Sequence, residues 1–206
     1  MIVGVTGNTG GGKTTVAELF VRWGKGRRID ADRIGREVWE KDRAVRERIA
    51  AALGPGVIGP EGEVDRFLLG RIVFGDREKM GVFDRIVQPL LRERIAAAID
   101  GARAEGGAFA VLDAALLFEW GFEEKVDRTV AVIARPDIRA RRVAERHGIE
   151  LDEAIRRVES QEKESGKAAR ADFVIDNNGD RKELEWKARR VWDAIAPESP
   201  GCDRRA

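Results

Sequence analysis

The sequence predicts an α/β fold, a parallel sheet with helices on its faces, opened by a phosphate-binding loop. Three observations predict it. The chain begins with a short β-branched apolar run, Ile2 to Thr6, that leads straight into a glycine-rich loop ending in Gly12-Lys13-Thr14. Short apolar runs then alternate with longer stretches of helical periodicity, the pattern of strands joined by crossover helices. One helical, strand-poor stretch, residues 36–106, reads as an insertion mounted on that sheet.

The opening loop, Gly7-Asn-Thr-Gly-Gly-Gly-Lys-Thr14, has the spacing G-x-x-x-x-G-K-[ST] between a strand and a helix that starts at Thr15. Glycine at positions 7, 10, 11 and 12 lets backbone N–H groups approach a polyphosphate with no Cβ in the way, and the following helix adds partial positive charge. Lys13 can reach the β- and γ-phosphates, and the Thr14 hydroxyl suits a Mg²⁺ ligand. The nucleotide-binding set is Gly10, Gly11, Gly12, Lys13, Thr14 and Thr15, and the expected ligand is a nucleoside triphosphate with Mg²⁺.

Composition narrows the rest. At 206 residues the chain has room for one core with a helical insertion, hardly for two independent domains. Its 38 Lys and Arg against 37 Asp and Glu leave a net charge of +1, so overall charge points to neither nucleic acid nor an acidic membrane. Cys202 is the single cysteine, which excludes an internal disulfide framework and fits a reducing compartment. No apolar run reaches membrane-spanning length and the first residues are already strand, so the expected location is the cytoplasm.

Taken in order, Arg27 to Asp30 forms a short second strand, which sets Asp30 and Asp32 at a carboxyl end, where open α/β sheets place their ligands. Asp32 either works at such a site or caps the helix beginning at Arg33, and one carboxylate can do both. Within the insertion, Val45, Ile49, Ala52 and Leu53 share one helical face, Leu68, Leu69 and Ile72 a second, and Leu91, Ile95 and Ile99 a third. These stripes read as core. The third strand is Phe109 to Asp113, with the apolar run continuing through Leu116-Leu-Phe-Glu119. Asp113 stands where P-loop enzymes hold their metal through water, with a structural role as the alternative. Thr129 to Ala134 and Asp172 to Asp176 are the fourth and fifth strands.

Between those two strands the chain is densely charged. Arg139, Arg142 and Arg146 lie at i, i+3 and i+7 on one helix face, as a lid closing over a triphosphate requires and as a plain surface helix also shows. His147, the only histidine, reads as an ordinary residue of this stretch. Leu184, Ala188, Val191, Trp192 and Ile195 form the apolar face of a final helix, and residues 197–206 have nothing to bury and read as a frayed tail.

In order and spacing these pieces resemble the dephospho-CoA kinase family over nearly the whole chain. The resemblance is carried by Thr6 to Thr14, Ile29-Asp-Ala-Asp-Arg-Ile-Gly-Arg36, Gly62 to Arg66, Leu69 to Phe74, Gln88-Pro-Leu90 and Leu116 to Glu119. Arg139 to Arg146, Gln161 with Lys167, and Ala171 to Gly179 complete it. It implies a nucleotide-kinase-like P-loop NTPase fold with a five-stranded parallel sheet in the order 2-3-1-4-5. The core would be residues 1–35, 107–136 and 171–196, with 36–106 holding the pantetheine-bearing acceptor and 137–170 as the lid. The implied reaction is transfer of the γ-phosphoryl group of ATP, with Mg²⁺, to the ribose 3′-hydroxyl of dephospho-CoA, the last step of coenzyme A synthesis. By the same resemblance Asp32 takes the proton from that hydroxyl, Arg142 is the lid arginine on the phosphates, and Asn177 lies near the adenine. Partners would be these small molecules, the chain acting as a monomer or small homo-oligomer. The sequence departs from the family pattern at Gln88, where histidine is usual, at Ala115, where proline is usual, and in the loop residues Asn8, Thr9 and Gly11. A kinase for a nucleoside or nucleoside monophosphate is the nearest rival. A nucleotide-switch GTPase would need Asn-Lys-x-Asp, which Asp176-Asn-Asn-Gly179 lacks.

Overall fold

A computed structural model describes residues 1–105, 109–161 and 164–196, the side chain of Phe74 excepted. The tail read over residues 197–206, with Cys202, lies outside the described residues. The chain divides into two compact units, Met1–Ile29 with Ile99–Ala206, and Asp30–Ala98. The second begins at Asp30 because helix follows the second strand with no intervening loop.

In the first unit the strands β1 (Ile2–Thr6), β2 (Arg27–Asp30), β3 (Ala110–Asp113), β4 (Arg128–Ile133) and β5 (Phe173–Asp176) form one sheet in the order β2-β3-β1-β4-β5. That is the order the resemblance implies. All five residues of β1 are buried, which explains why its sequence is continuously apolar instead of alternating: a central parallel strand is covered on both faces. Pairing is parallel, with Val5 opposite Asp113, Thr6 opposite Ala131 and Ile133 opposite Asp176. The carboxyl ends of β1, β3, β4 and β5 therefore emerge on one edge, and the loops that follow them share it.

One face of the sheet is covered by α1 (Lys13–Gly24) and α9 (Arg181–Ile195). Val16 and Phe20 of α1, and Leu184, Ala188, Trp192 and Ile195 of α9, meet Val3, Val5, Val130 and Val132 in a single apolar cluster. Trp192 sits edge-on to Phe109, ring centroids 4.9 Å apart at 89°, and 5.7 Å from Phe20. The final-helix stripe read from the sequence is this face, with Val191 half-buried at its rim.

The third strand is shorter than the apolar run suggested. Ala114 N–H still bonds Val5 O at 3.1 Å, but Leu116 to Glu119 forms turns, closed by Phe122 N–H on Leu117 O at 2.9 Å. Leu117 and Phe118 are buried as turn residues and Leu116 is exposed, so hydrophobicity there reports burial without strand. After β4 come α6 (Pro136–His147), α7 (Leu151–Glu159) and α8 (Glu164–Arg170). Ala140 and Val143 of α6 pack on Ala154 and Val158 of α7, giving this stretch a small core of its own.

The second unit is built from α2 (Ala31–Lys41), α3 (Arg43–Leu53), α4 (Arg66–Phe74) and α5 (Arg77–Ala104), whose last residues return to the first unit. Aspartates start all four: Asp30, Asp42, Asp65 and Asp76 accept from Arg33, Val45, Leu68 and Lys79 N–H at 2.9, 3.2, 2.9 and 3.2 Å. Val45, Ile49, Leu69, Leu91 and Ile95 are buried, as their spacing predicts, and Ala52 is exposed. No described helix is long and apolar enough to cross a membrane.

Candidate active site

The loop between β1 and α1 has a backbone that only glycine tolerates at its two ends. Gly7 has φ 149°, and a Cβ there would lie 2.2 Å from Val132 O; Gly12 has φ 98°, and its Cβ would lie 2.3 Å from Asn177 Nδ2. The turn is closed by Gly11 N–H on Asn8 O at 3.0 Å. Gly12 is also the N-cap of α1 and offers no side-chain acceptor to the first-turn N–H groups, in contrast with the aspartate caps of α2, α3, α4 and α9. An uncapped helix start behind a glycine loop is what an anion needs, and Lys13, Thr14 and Thr15 occupy that first turn.

Beside the loop lies a cavity of about 310 Å³ lined by Gly12, Thr15, Arg142, Asn177, Gly179 and Leu184. Asn177 follows β5 and is buried: its N–H bonds Ile133 O at 2.8 Å and its Nδ2 donates to Gly11 O at 2.8 Å, tying this wall to the glycine loop. Arg142, from α6, donates to Asn177 O at 3.0 Å, Gly179 O at 3.2 Å and Gly10 O at 3.4 Å. A cation with several fixed acceptors is held in one place, which keeps this wall of the cavity formed.

Asp113 is 4% exposed at the end of β3, and Arg28 of β2 lies 3.8 Å from its carboxylate. Among the described residues no three His, Cys, Asp or Glu side chains gather as a metal cluster. Mg²⁺ does not ask for one: it takes one or two hard protein oxygens and completes its shell with phosphate and water. A threonine hydroxyl at the second residue of α1 and a near-buried carboxylate one strand away fit that donor set.

The sequence model of the dephospho-CoA kinase family matches residues 1–183. The chain belongs to the dephospho-CoA kinase family. A dephospho-CoA kinase of Corynebacterium diphtheriae is 36% identical over 197 residues, 96% of this chain and 98% of the relative. Among solved structures, TT1252 of Thermus thermophilus is 30% identical with a TM-score of 0.76, covering 96% of this chain and 98% of that one. The dephospho-CoA kinase of Campylobacter jejuni shares the fold, with a TM-score of 0.67 at 22% identity over 94% of this chain and 96% of its own.

Within the dephospho-CoA kinase pattern the residues fall as follows. Asp30, and not Asp32, caps α2; Asp32 stands exposed in the first helical turn, so capping is not its task. The three arginines of the one-face row separate. Arg139 is 4% exposed and bonded to Thr9 O at 3.0 Å and to Gln161, Arg142 lines the cavity, and Arg146 is exposed. Burial pushes the Arg139 pKa down, and the Glu164 carboxylate pulls it back up. His147 is exposed in the last turn of α6.

Two departures from the dephospho-CoA kinase pattern acquire a physical reading. Ala115 O accepts from Thr6 Oγ1 at 3.1 Å and from Lys167 Nζ at 2.9 Å, and a backbone acceptor survives whichever side chain stands there. Lys167 also pairs with Glu119, so the family's Lys167 and its Leu-Leu-Phe-Glu segment are joined. Gln88 lies in α5 one turn after Asp84, whose carboxyl pKa is raised: burial pushes it up and the nearby Gln88 amide pulls it part of the way back. Glu164 carried no motif signal, yet it accepts the loop's Asn8 N–H at 3.3 Å, and only the folded chain brings the two together.

Proposed function

We infer that this chain transfers the γ-phosphoryl group of ATP to the 3′-hydroxyl of dephospho-CoA, giving coenzyme A and ADP. The observation that carries the reading is the cavity of about 310 Å³ joined to the uncapped glycine loop through Gly12 and Asn177, in a chain of this family. A base held against Asn177 and Gly179 would direct its phosphates across Gly12 onto Gly10, Gly11, Lys13, Thr14 and Thr15. Lys13 and Arg142 would offset charge on the transferring group, and Asp32 would orient or deprotonate the acceptor hydroxyl. Thr14, and Asp113 through water, would hold Mg²⁺, which when bound neutralises charge on the β- and γ-phosphates. Residues 30–98 would bind the acceptor and 137–170 would act as the lid, in a cytoplasmic monomer or small homo-oligomer.

The test is a phosphoryl-transfer assay with Mg-ATP across dephospho-CoA, AMP, adenosine and shikimate. Dephospho-CoA is expected to give the highest kcat/KM by at least about two orders of magnitude, because remote contacts with its long arm orient the hydroxyl. Lys13→Ala, in a folded sample, is expected to lose nearly all turnover. AMP as the best acceptor would overturn the substrate assignment.

A further inference from the structure

Three side chains from the stretch between β4 and β5 close on the shoulder of the glycine loop, residues Asn8 and Thr9, ahead of the part that faces the cavity. Gln161 holds Thr9 twice: Thr9 N–H donates to Oε1 at 3.2 Å, and Nε2 donates to the Thr9 hydroxyl at 3.1 Å. Arg139 donates Nε–H to Thr9 O at 3.0 Å and a second N–H to Gln161 Oε1 at 2.5 Å. Glu164 accepts Asn8 N–H on one carboxylate oxygen at 3.3 Å and Ala134 N–H on the other at 2.9 Å, so one side chain bridges the loops that follow β1 and β4. Its carboxylate lies 3.8 Å from the Arg139 guanidinium, and the two side chains are 11% and 5% exposed.

A phosphate-binding loop works by presenting several N–H groups at once, which requires the chain before them to be fixed in advance. Here that chain is fixed by side chains from outside the loop. Thr9 and Asn8 are also two of the three positions, with Gly11, at which this loop departs from the family pattern, and the Thr9 hydroxyl is one of the groups Gln161 uses.

We propose that Gln161 and Glu164 are positioning residues for ATP, acting through Asn8 and Thr9 and linking the helical stretch that ends at α8 to the glycine loop. The kinetic part of this inference rests on the kinase reading; the binding part does not. Gln161→Leu removes three hydrogen bonds at similar size. Gln161→Glu keeps the acceptor for Thr9 N–H and Arg139 and lets the Thr9 hydroxyl donate. Glu164→Gln sets a donor against one of two N–H groups, and Thr9→Val removes one hydroxyl on an exposed residue.

ADP affinity, measured by titration calorimetry, is expected to fall about tenfold in Gln161→Leu and Glu164→Gln and about threefold in Thr9→Val. Gln161→Glu is expected to stay within about threefold of wild type. KM for ATP should rise in parallel, while KM for dephospho-CoA stays within about twofold, a split that general loosening of the fold would not give. ADP binding as tight as wild type in Gln161→Leu overturns the proposal, as does an equal rise in both KM values. Should Gln161→Leu fail to fold, wild-type ADP affinity in Thr9→Val overturns it instead. Because ADP binding needs no acceptor, a wild-type protein that phosphorylates none of the acceptors would count against the kinase reading and leave this measurement intact.

Discussion

At the scale of single residues, the fold depends on polar groups whose partners lie far along the chain. Asp127 shows this. It accepts Ile2 N–H at 2.6 Å and pairs with Arg103 at 3.1 Å, anchoring the start of β1 to the segment before β4 and to α5. Burial pushes its carboxyl up, but the Ile2 N–H, the Arg103 guanidinium and the N-terminal charge together hold it below the ordinary aspartate range. A carboxyl whose pKa is lower folded than unfolded stabilises the protein above the unfolded value, and that stabilisation is lost as pH falls through the folded value. Asp127→Asn is therefore expected to be less stable than wild type at neutral pH, and the gap should close as pH drops below about 4. Urea unfolding of both proteins at pH 7 and pH 3 checks it. A gap that stays constant across that window would show that the carboxylate charge is not what holds the strand.

At the scale of elements, α6 joins two kinds of arginine that the sequence could not separate. The spacing i, i+3, i+7 correctly put Arg139, Arg142 and Arg146 on one helix face, but a face is wider than any one target, and the helix tapers from buried at Arg139 to exposed at Arg146. Similarly, the run from Leu116 to Glu119 looked like strand because buried turns and buried strands have the same composition over four residues. What resolves the arginines is a tertiary partner, Thr9 and Gln161 for Arg139 and the backbone of residues 177–179 for Arg142, and what resolves the turn is the local bond of Phe122 N–H to Leu117 O. Arg142→Ala removes a cation from three carbonyl oxygens as well as from the expected phosphates. KM for ATP is thus expected to rise about tenfold or more and kcat to fall with it. Arg141→Ala, on the exposed side of the same helix, should leave both within about twofold. Equal losses in the two variants would mean that net positive charge on α6, and not a placed guanidinium, serves the nucleotide.

At the scale of the whole molecule, the parts most legible in the sequence were those set by local rules with few competitors. The strand, glycine loop and helix at the start follow from backbone geometry, and the helical stripes of Asp30–Ala98 follow from a period of 3.6. Strand order was carried by family likeness instead, and the joining of Lys167 to Ala115 was not legible at all, since no local rule fixes which loops meet. The same division gives a clean test of Asp32. Every residue assigned here to the nucleotide belongs to the first compact unit, whereas Asp32 belongs to the second, exposed in the first turn of α2 with its capping duty already taken by Asp30. Asp32→Asn keeps the size and hydrogen-bonding reach of the side chain and removes its capacity to take a proton. It is expected to lower kcat for dephospho-CoA by about two orders of magnitude, the scale of one general base, while ADP affinity stays at the wild-type value. Thermal melting should move little, because the cap of α2 on Asp30 is kept and the amide retains the size of the side chain. If kcat is unchanged, proton removal is not the work of Asp32. If ADP affinity collapses along with kcat, Asp32 serves nucleotide binding and the base must be sought among other residues.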